Sequence, residues 1–385
     1  MIGKHEGSHQ FQRIALVTNF PSYHNVDLFN ALAQQPGIEL KIFYLRQITY
    51  GRQWQVLREI QHPHEFIRDI YLFPRIYISP KLLPRVQEFN PDILIITQYA
   101  SIGMQLLMYK WILSAKPWIF WSEAPGVQFT ENKIINNDKV RMFLRKLALF
   151  PLHNAPCQIW AIGEYAKQEY QSVSNVPCIN VPYYFNQDAF LNVMKGAKKS
   201  NEIVKFIYSG KQIYRKGFDI LLDAIKLLVA EAYAFHVNVI GDTPDQQLYT
   251  VISKNNLNDY ISFLGFKELD EVPQIYAAND VLIFPTRYDG WGMVVVEAMA
   301  SGLPVISSYA SVSAQNTIIN NENGFLFENE NSTQLAHYMR FFINHPEQIE
   351  KMGKHARKSV LKYSNFEGAK KMVRLIDSLK TGSPS

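Results

Sequence analysis

Short apolar runs rich in β-branched residues alternate along this chain with longer runs in which apolar residues recur at helical spacing. In the first half, RIALVTN is followed by VDLFNALAQQ and LKIFYL, and DILIITQ is followed by GMQLLMYKWILSA and WIFWSE. This alternation is typical of βαβ units built around a parallel sheet. It predicts an α/β fold with a doubly wound sheet in the N-terminal half.

The same alternation starts again near Val204, with strand-like runs such as VKFIYSG, HVNVIG and VLIFPT separated by helical segments such as FDILLDAIKLLVAEA. Between the two series, the segment 186–203 ends in the Gly, Lys and Ser content of an exposed linker. We therefore expect two Rossmann-like domains, residues 1–186 and 187–365, facing each other across a cleft, with a C-terminal helix over 366–385 that packs back on the first. Ligands of such sheets bind outside the carboxyl ends of the strands, so the turns there are the first place to look for function.

The composition is that of a folded protein. Of 385 residues, 47% are hydrophobic and 19% charged, which is too apolar for a disordered chain. Cys157 and Cys178 are the two cysteines, so neither a disulfide framework nor a zinc site is expected, and a reducing cytoplasm fits best. The polar N-terminus lacks the apolar centre of a signal peptide, and the apolar stretch 93–109 is too short and too polar to span a bilayer.

The net charge of +5 identifies no partner by itself. The basic residues are not gathered with aromatic residues in a nucleic-acid-binding motif, so no nucleic-acid partner is expected. Residues 139–150 form a basic amphipathic segment that could lie on an anionic membrane surface. The other interpretation is a surface helix packed on its own domain.

The first chemically suggestive turn follows the predicted strand VKFIYS. Gly210 and Gly217 permit close approach of the backbone, and Lys211, Arg215 and Lys216 stand just before a predicted helix N-terminus. A phosphate or diphosphate would suit this turn. A solvated basic loop is the alternative.

The second suggestive turn follows the predicted strand VLIF. Asp289, Gly290 and Gly292 precede a helix that begins near Met293 and places Glu297 among apolar residues in its second turn. A buried carboxylate needs a partner, and sugar or ribose hydroxyls would supply donors, while the free amides of the turn suit oxyanions. A helix cap with an internal salt bridge is the other interpretation.

Five motifs in these regions together resemble the C-terminal half of the retaining family-four glycosyltransferases (glycosyl transferases group 1), which have the GT-B fold. They are GKQIYRKG, GDTP, FLGF, DGWGMVVVEAMASGLPV and, at 323–326, NGFL, and they stand in the family's order and spacing. The resemblance covers about residues 176–345, whereas the N-terminal half matches only in layout.

The resemblance implies roles for individual residues. Lys211 and Lys216 would bind the donor diphosphate, Asp289 the hydroxyls of the donor sugar, and Glu297 the ribose. The predicted donor-binding set is Gly210, Arg215, Phe266, Gly290, Trp291, Gly292, Met293, Val294 and Glu297, with the backbone at Phe266 meeting the nucleobase. Lys211 replaces an Arg and Asp289 replaces a Glu of the family pattern, which loses a bidentate fork and shortens the reach of the carboxylate.

Candidate residues in the N-terminal half also follow predicted strands. His24 and Asn25 lie in the turn after RIALVTN, and Glu123 follows WIFW near where many members have a His facing the reacting centre, so we predict a catalytic role for it. Glu164, Tyr183 and Tyr184 stand at two further turns, as acceptor contacts or as interdomain packing. For His24 the alternative is a solvated loop residue, and for Glu123 it is a cap or a salt bridge.

The resemblance implies an enzyme that moves a hexose from a nucleotide diphosphate sugar to an acceptor hydroxyl with retention at the anomeric carbon. The acceptor would be a saccharide or a lipid-linked saccharide of cell-surface polysaccharide or glycolipid synthesis, met in the cytoplasm or on the inner face of the membrane. Since no metal-binding DxD motif stands at a strand end, we expect no metal and no cofactor beyond the donor substrate. A nucleotide-sugar epimerase, a phosphorylase and a non-catalytic sugar-nucleotide-binding protein are the alternatives.

Overall fold

Two units make up the chain in the computed structural model. Unit 1 is Met1–Phe185 with Asn365–Ser385, and unit 2 is Asn186–Ser364. The structure describes residues 12–47, 59–68, 70–73, 76–97, 102–114, 116–125, 150–152, 157–172, 174–193 and 202–381. The division falls one residue from the boundary expected from the sequence. Most of the basic segment 139–150 lies outside the described residues, so its predicted membrane role stays a prediction.

Unit 1 is built on a parallel sheet in the strand order β3-β2-β1-β6-β7-β8-β9. A separate antiparallel pair joins β4 and β5. Its elements before the linker are β1 (Gln12–Thr18), α1 (Tyr23–Ala33), β2 (Ile38–Tyr44), β3 (His64–Phe66), β4 (Ile70–Phe73), β5 (Ile76–Ile78), α2 (Leu82–Phe89), β6 (Ile93–Ile96), α3 (Ile102–Ser114), β7 (Trp118–Ser122), β8 (Cys157–Ala161), α4 (Glu164–Gln171) and β9 (Cys178–Asn180).

Unit 2 is built on a second parallel sheet in the order β12-β11-β10-β13-β14-β15. Its elements are α5 (Asp188–Leu191), β10 (Val204–Ser209), α6 (Phe218–Ala230), β11 (Phe235–Ile240), α7 (Gln246–Lys254), β12 (Ile261–Gly265), α8 (Val272–Ala277), β13 (Val281–Phe284), α9 (Met293–Ala300), β14 (Val305–Ser308), α10 (Val312–Thr317), β15 (Gly324–Phe327), α11 (Ser332–Asn344) and α12 (Glu347–Val360). The last helix, α13 (Asn365–Thr381), belongs to unit 1.

Both sheets are doubly wound, and the predicted α/β fold class is confirmed. The central strands are buried over their whole length, as ILII of β6 and VLIF of β13 show, because helices cover both faces of a parallel sheet. In each unit the direction of winding reverses beside the first strand. In unit 2 this switch point lies between β10 and β13, which is where the fold creates a crevice outside the carboxyl ends of the strands.

Three short features of unit 1 did not follow from the periodicity. Strands β3 and β9 are three residues long, and β4 and β5 form an antiparallel pair.

Within the described ranges, no helix combines the length and the apolar character needed to cross a bilayer. Cys178 carries a free thiol.

Helix α13 is seated in unit 1 by a close contact between a glycine and an aromatic ring. It lies along α1, and a Cβ atom at Gly368 would stand 2.4 Å from Cγ of Tyr184. Tyr184 is 3% exposed. This residue, proposed from the sequence as an acceptor or interdomain contact, therefore packs inside unit 1 against α13.

We expect Gly368→Ala to destabilise the protein by about 1–3 kcal/mol, because the added methyl group overlaps the ring of Tyr184 and the ring has no free space to enter. The apparent melting temperature should fall. Adding Tyr184→Leu to Gly368→Ala should recover part of the loss. A melting temperature unchanged by Gly368→Ala would contradict this account of how α13 is held.

Candidate active site

The loops that follow β10 and β13 cross each other at the switch point of unit 2. The backbone N–H of Arg287 donates to the carbonyl oxygen of Arg215 at 2.8 Å. Gly217 has φ of +68°, and a Cβ atom there would stand 1.9 Å from the carbonyl oxygen of Pro285. Glycine is therefore required by both the backbone conformation and the closeness of the two loops.

An aspartate from one loop pairs with a lysine from the other. The ammonium group of Lys216 hydrogen-bonds Oδ2 of Asp289. Arg215 approaches the same oxygen at 3.9 Å, and the N–H of Trp291 donates to Oδ1 at 3.3 Å. Both side chains of the Lys216–Asp289 pair are 17% exposed, so each charge depends on the other for compensation.

The electrostatics of the pair keep the carboxylate ionised. Burial by itself raises the pKa of Asp289, but the charge and hydrogen bond of Lys216, the charge of Arg215 and the Trp291 amide outweigh it and hold the pKa below its ordinary value. The carboxylate of Asp289 therefore stands as a negative charge between the cations of Lys216 and Arg215.

Lys211 lies in the first of these loops and pairs with a different acid. Its Nζ stands 3.2 Å from Oδ2 of Asp242, which belongs to the GDTP turn after β11. The hydroxyl group of Tyr208 donates to the carbonyl oxygen of Lys211 at 2.8 Å and so fixes the loop from below. Asp242 was not predicted as a site residue, although it belongs to the GDTP motif of the sequence.

The N-terminus of α9 follows Asp289 in the same loop. Gly292 is its N-cap with φ of +96°, and no side chain caps the helix. Ser313 fixes the turn by donating from its N–H to the carbonyl of Trp291 at 2.7 Å and from its hydroxyl to that of Gly292 at 2.8 Å. The first amides of a helix have no partner within the helix, so those at Gly292, Met293 and Val294 suit a phosphate.

The side chains near this helix play different parts. Trp291 is 2% exposed, and its indole packs edge-on against Tyr363, so its ring is part of the core of unit 2. Glu297 is 4% exposed, and its charge adds to the effect of burial in raising the pKa of Tyr276.

The carboxyl ends of β10, β11 and β12 meet at three glycines. The N–H of Gly210 donates to Ile240 at 2.9 Å, and the N–H of Gly241 donates to Gly265 at 3.1 Å. At Gly210 and Gly265 the space around an added Cβ is free of close contacts. Phe266, whose backbone was predicted to contact the nucleobase, directly follows Gly265, the last of these three glycines.

In unit 1 the structure brings three of the predicted residues together. The hydroxyl group of Tyr183 donates to Oε1 of Glu123 at 3.2 Å, and the rings of Tyr183 and His24 stand 4.8 Å apart. Tyr170 donates to the carbonyl oxygen of Glu123 at 2.8 Å. Asn25 is half-buried in the first turn of α1 beside His24. These contacts form a polar cluster at the carboxyl ends of β1 and β7.

Glu164 is the first residue of α4 and contacts Asn180 and Lys167. It accepts a hydrogen bond from Nδ2 of Asn180 at 2.7 Å and lies 3.6 Å from Lys167 in the first turn of α4. These contacts are those of a helix end and of an ion pair within one helix, whereas the sequence predicts an acceptor or interdomain contact.

The comparisons with known proteins begin with the C-terminal unit. Residues 192–359 match the sequence model of the family described as "Glycosyl transferases group 1". An uncharacterized glycosyltransferase of Methanocaldococcus jannaschii is 33% identical over 41% of this chain and 43% of its own length. One of Haemophilus influenzae is 24% identical over 73% of this chain and 74% of its own length. A capsular polysaccharide biosynthesis glycosyltransferase of Staphylococcus aureus is 28% identical over 40% of each chain.

Solved structures match over nearly the whole chain. The sucrose-phosphate synthase of Thermosynechococcus elongatus has a TM-score of 0.73 at 20% identity, covering 97% of this chain and 100% of its own. A protein of Anabaena in complex with UDP and glucose has a TM-score of 0.70 at 15% identity, covering 95% and 100%. The fold is the GT-B fold. The match of residues 192–359 to the group 1 glycosyltransferases agrees with the resemblance that the motifs indicated. The chain spans less than half the length of the first of the relatives above.

We expect Asp289→Asn to change how stability depends on pH. A group whose pKa is lower in the folded protein stabilises the fold above its unfolded pKa, about 4, and this contribution is lost as the pH falls through the folded pKa. The apparent melting temperature of the wild type should therefore fall more steeply below about pH 4 than that of the variant. Asp223→Asn, a change in an exposed i,i+3 pair with Lys226, is the control and should follow the wild type. Parallel curves for Asp289→Asn and the wild type would contradict the pairing.

A pair of glycine variants tests the crossing of the two loops. Gly217 and Gly265 both have positive φ, but only a Cβ atom at Gly217 meets another atom within 4 Å. Alanine at either position should lower the free energy of unfolding by about 1–2 kcal/mol, because its side chain disfavours the left-handed backbone conformation. Gly217→Ala should cost about 1–3 kcal/mol more, because its methyl group collides with Pro285. If Gly217→Ala and Gly265→Ala lowered the melting temperature equally, the close contact of Gly217 with Pro285 would be contradicted.

Proposed function

We propose that this protein transfers a hexose from a nucleoside diphosphate sugar to an acceptor hydroxyl group, with retention at the anomeric carbon. The observation that carries the proposal is the pairing of Lys216 with Asp289 beside the open N-terminus of α9, at the switch point of the sheet. Cations and amides directed at one place bind a diphosphate, while a carboxylate beside them binds hydroxyl groups. The UDP and glucose named for the structural neighbour from Anabaena support this class of donor.

Each part of the donor has a place in unit 2. The diphosphate lies against Lys211, Lys216 and the first amides of α9. The ribose hydroxyls reach Glu297, and the nucleobase meets the backbone at Phe266. As the diphosphate takes over Lys216, the carboxylate of Asp289 turns to the hydroxyl groups of the sugar.

The difficult step is separation of charge. The bond between the anomeric carbon and the diphosphate oxygen breaks, the sugar becomes oxocarbenium-like, and the diphosphate leaves as an anion. Lys211, Lys216 and the α9 amides are already oriented toward this charge as it develops, so little reorganisation opposes the step. The acceptor oxygen attacks from the face that the diphosphate leaves, and its proton passes to the leaving phosphate. We propose that these groups act without a metal ion or a cofactor.

In unit 1, the cluster of His24, Glu123 and Tyr183 supports binding of a hydroxylated acceptor. Glu123 offers a carboxylate to hydroxyl groups, and Tyr183 holds that carboxylate in place. The capsular relative supports a saccharide or lipid-linked saccharide acceptor in polysaccharide synthesis. A cytoplasmic location and attachment through residues 139–150 remain part of this proposal.

Donor binding is tested by titrating UDP-, GDP-, ADP- and TDP-glucose into the protein, with and without a chelator. We expect one nucleotide to raise the melting temperature in both conditions. Lys216→Ala should weaken its binding by about ten- to a hundredfold, since a charge-assisted contact to phosphate is lost. Lys226→Ala, which removes a lysine of an exposed i,i+3 pair in the same unit, should bind like the wild type.

Turnover separates this proposal from its rivals. A transferase should consume the donor only with an acceptor and give a product of the same anomeric configuration, seen by NMR. Donor converted without an acceptor would indicate an epimerase, and a requirement for free phosphate a phosphorylase. Tight binding with no turnover over a broad acceptor panel would leave a non-catalytic binding protein.

A further inference from the structure

Arg287 is a nearly buried arginine in the loop after β13. Its guanidinium group forms hydrogen bonds and lies over an aromatic ring. The side chain is 8% exposed. The group donates to both carboxylate oxygens of Asp219, at 2.8 and 2.7 Å, and from Nε to Glu330 at 2.6 Å. It also donates to the carbonyl oxygen of Tyr214 at 2.6 Å and lies 3.7 Å from the centre of the Tyr214 ring. Such bidentate and stacked geometry is open to Arg but not to Lys.

These partners come from three different elements. Tyr214 starts the short 3₁₀ helix Tyr214–Lys216 that presents Lys216, Asp219 lies in the first turn of α6, and Glu330 precedes α11. The two acids compensate the charge of the buried arginine, and its pKa is raised above the ordinary value, chiefly by the hydrogen bond with Asp219. Arg287 therefore connects the turn that carries Lys216 to the first turn of α6 and to the segment before α11.

The backbone around Arg287 makes the same connection a second time. The hydroxyl group of Thr286 donates to the carbonyl oxygen of Arg215 at 3.1 Å, and Nη1 of Arg215 donates to the carbonyl oxygen of Tyr288 at 2.9 Å. Arg287 itself donates its N–H to Arg215. The turn 214–216 and the segment 286–289 thus form one braced unit, with Lys216 and Asp289 at its ends.

We propose that Arg287 is a positioning residue that holds the turn 214–216 so that Lys216 points into the donor site. This rests on the proposed function of unit 2. The side chain of Arg287 contacts Tyr214, Asp219 and Glu330, so it acts on the phosphate through the turn 214–216, which carries Lys216. Lysine is a flexible side chain with a point charge, and an ammonium group displaced by about 1 Å loses much of its effect on a leaving anion.

The chain offers a matched control in Arg340. It also forms a bidentate pair with one acid, Glu231, at 2.9 and 2.6 Å, and lies 5.7 Å from the ring of a tyrosine, Tyr233. It stands on α11, and its pair joins α11 to the end of α6, away from the turn 214–216. Arg340 therefore makes the same kinds of contact as Arg287 but lies away from the turn 214–216.

The first experiment measures the affinity of the full chain for UDP and GDP by calorimetry. Arg287→Ala should weaken the binding of the preferred nucleotide by about tenfold, and Arg287→Lys should recover only part of the loss. Arg340→Ala should bind like the wild type. Equal affinity of Arg287→Ala and the wild type would overturn the proposal. If the wild type binds neither these nor the other nucleotides, the proposed function fails first.

A double-mutant cycle distinguishes positioning from a general loss of stability. If Arg287 acts through Lys216, the about tenfold effect of Arg287→Ala should shrink to about twofold or less in a Lys216→Ala background. The same tenfold loss in both backgrounds would overturn the proposal. Asp219→Asn offers a milder break of the same brace, so the test stands even if Arg287→Ala folds poorly, and it should show the same dependence on Lys216.

Discussion

The ion pair between Lys216 and Asp289 is the interaction on which the arrangement of the switch-point loops depends. It joins a turn after β10 to a turn after β13, which are neighbours because the winding of the sheet reverses between these strands. Neither charge is well exposed, so loss of one would leave the other poorly solvated. The glycine at 217 follows from this constraint, because the two backbones must touch for the pair to form.

The same interaction links the resting protein to its proposed chemistry. The cations of the site are held by carboxylates, Lys211 by Asp242 and Lys216 by Asp289. In the proposed reaction a diphosphate would replace these acids at the lysines, beside the amides at the start of α9. The charges paired within unit 2 are thereby those that would stabilise a leaving group, and in our proposal Arg287 positions the turn that carries Lys216.

Much of the architecture could be predicted because parallel strands and their helices have strong periodic patterns. Runs such as VLIF and FDILLDAIKLLVAEA became β13 and α6, and the residue types at 211, 216, 289 and 297 indicated an anion and hydroxyl site. The three-residue strands β3 and β9 could not be predicted, because so short a segment shows no period. Arg287 looked like an ordinary loop residue, since its partners are 68 and 43 positions away along the chain.

The sequence by itself determined the two doubly wound units and the motifs that residues 192–359 share with the group 1 glycosyltransferases, because local periodicity and motif spacing are properties of the chain. Only the tertiary structure decided which charges pair. It placed Lys216 on Asp289 and Lys211 on Asp242, gathered His24, Tyr183 and Glu123, and put Tyr184 in a core. The physical reason is that contacts between distant residues depend on strand order and loop crossing, which no local pattern records.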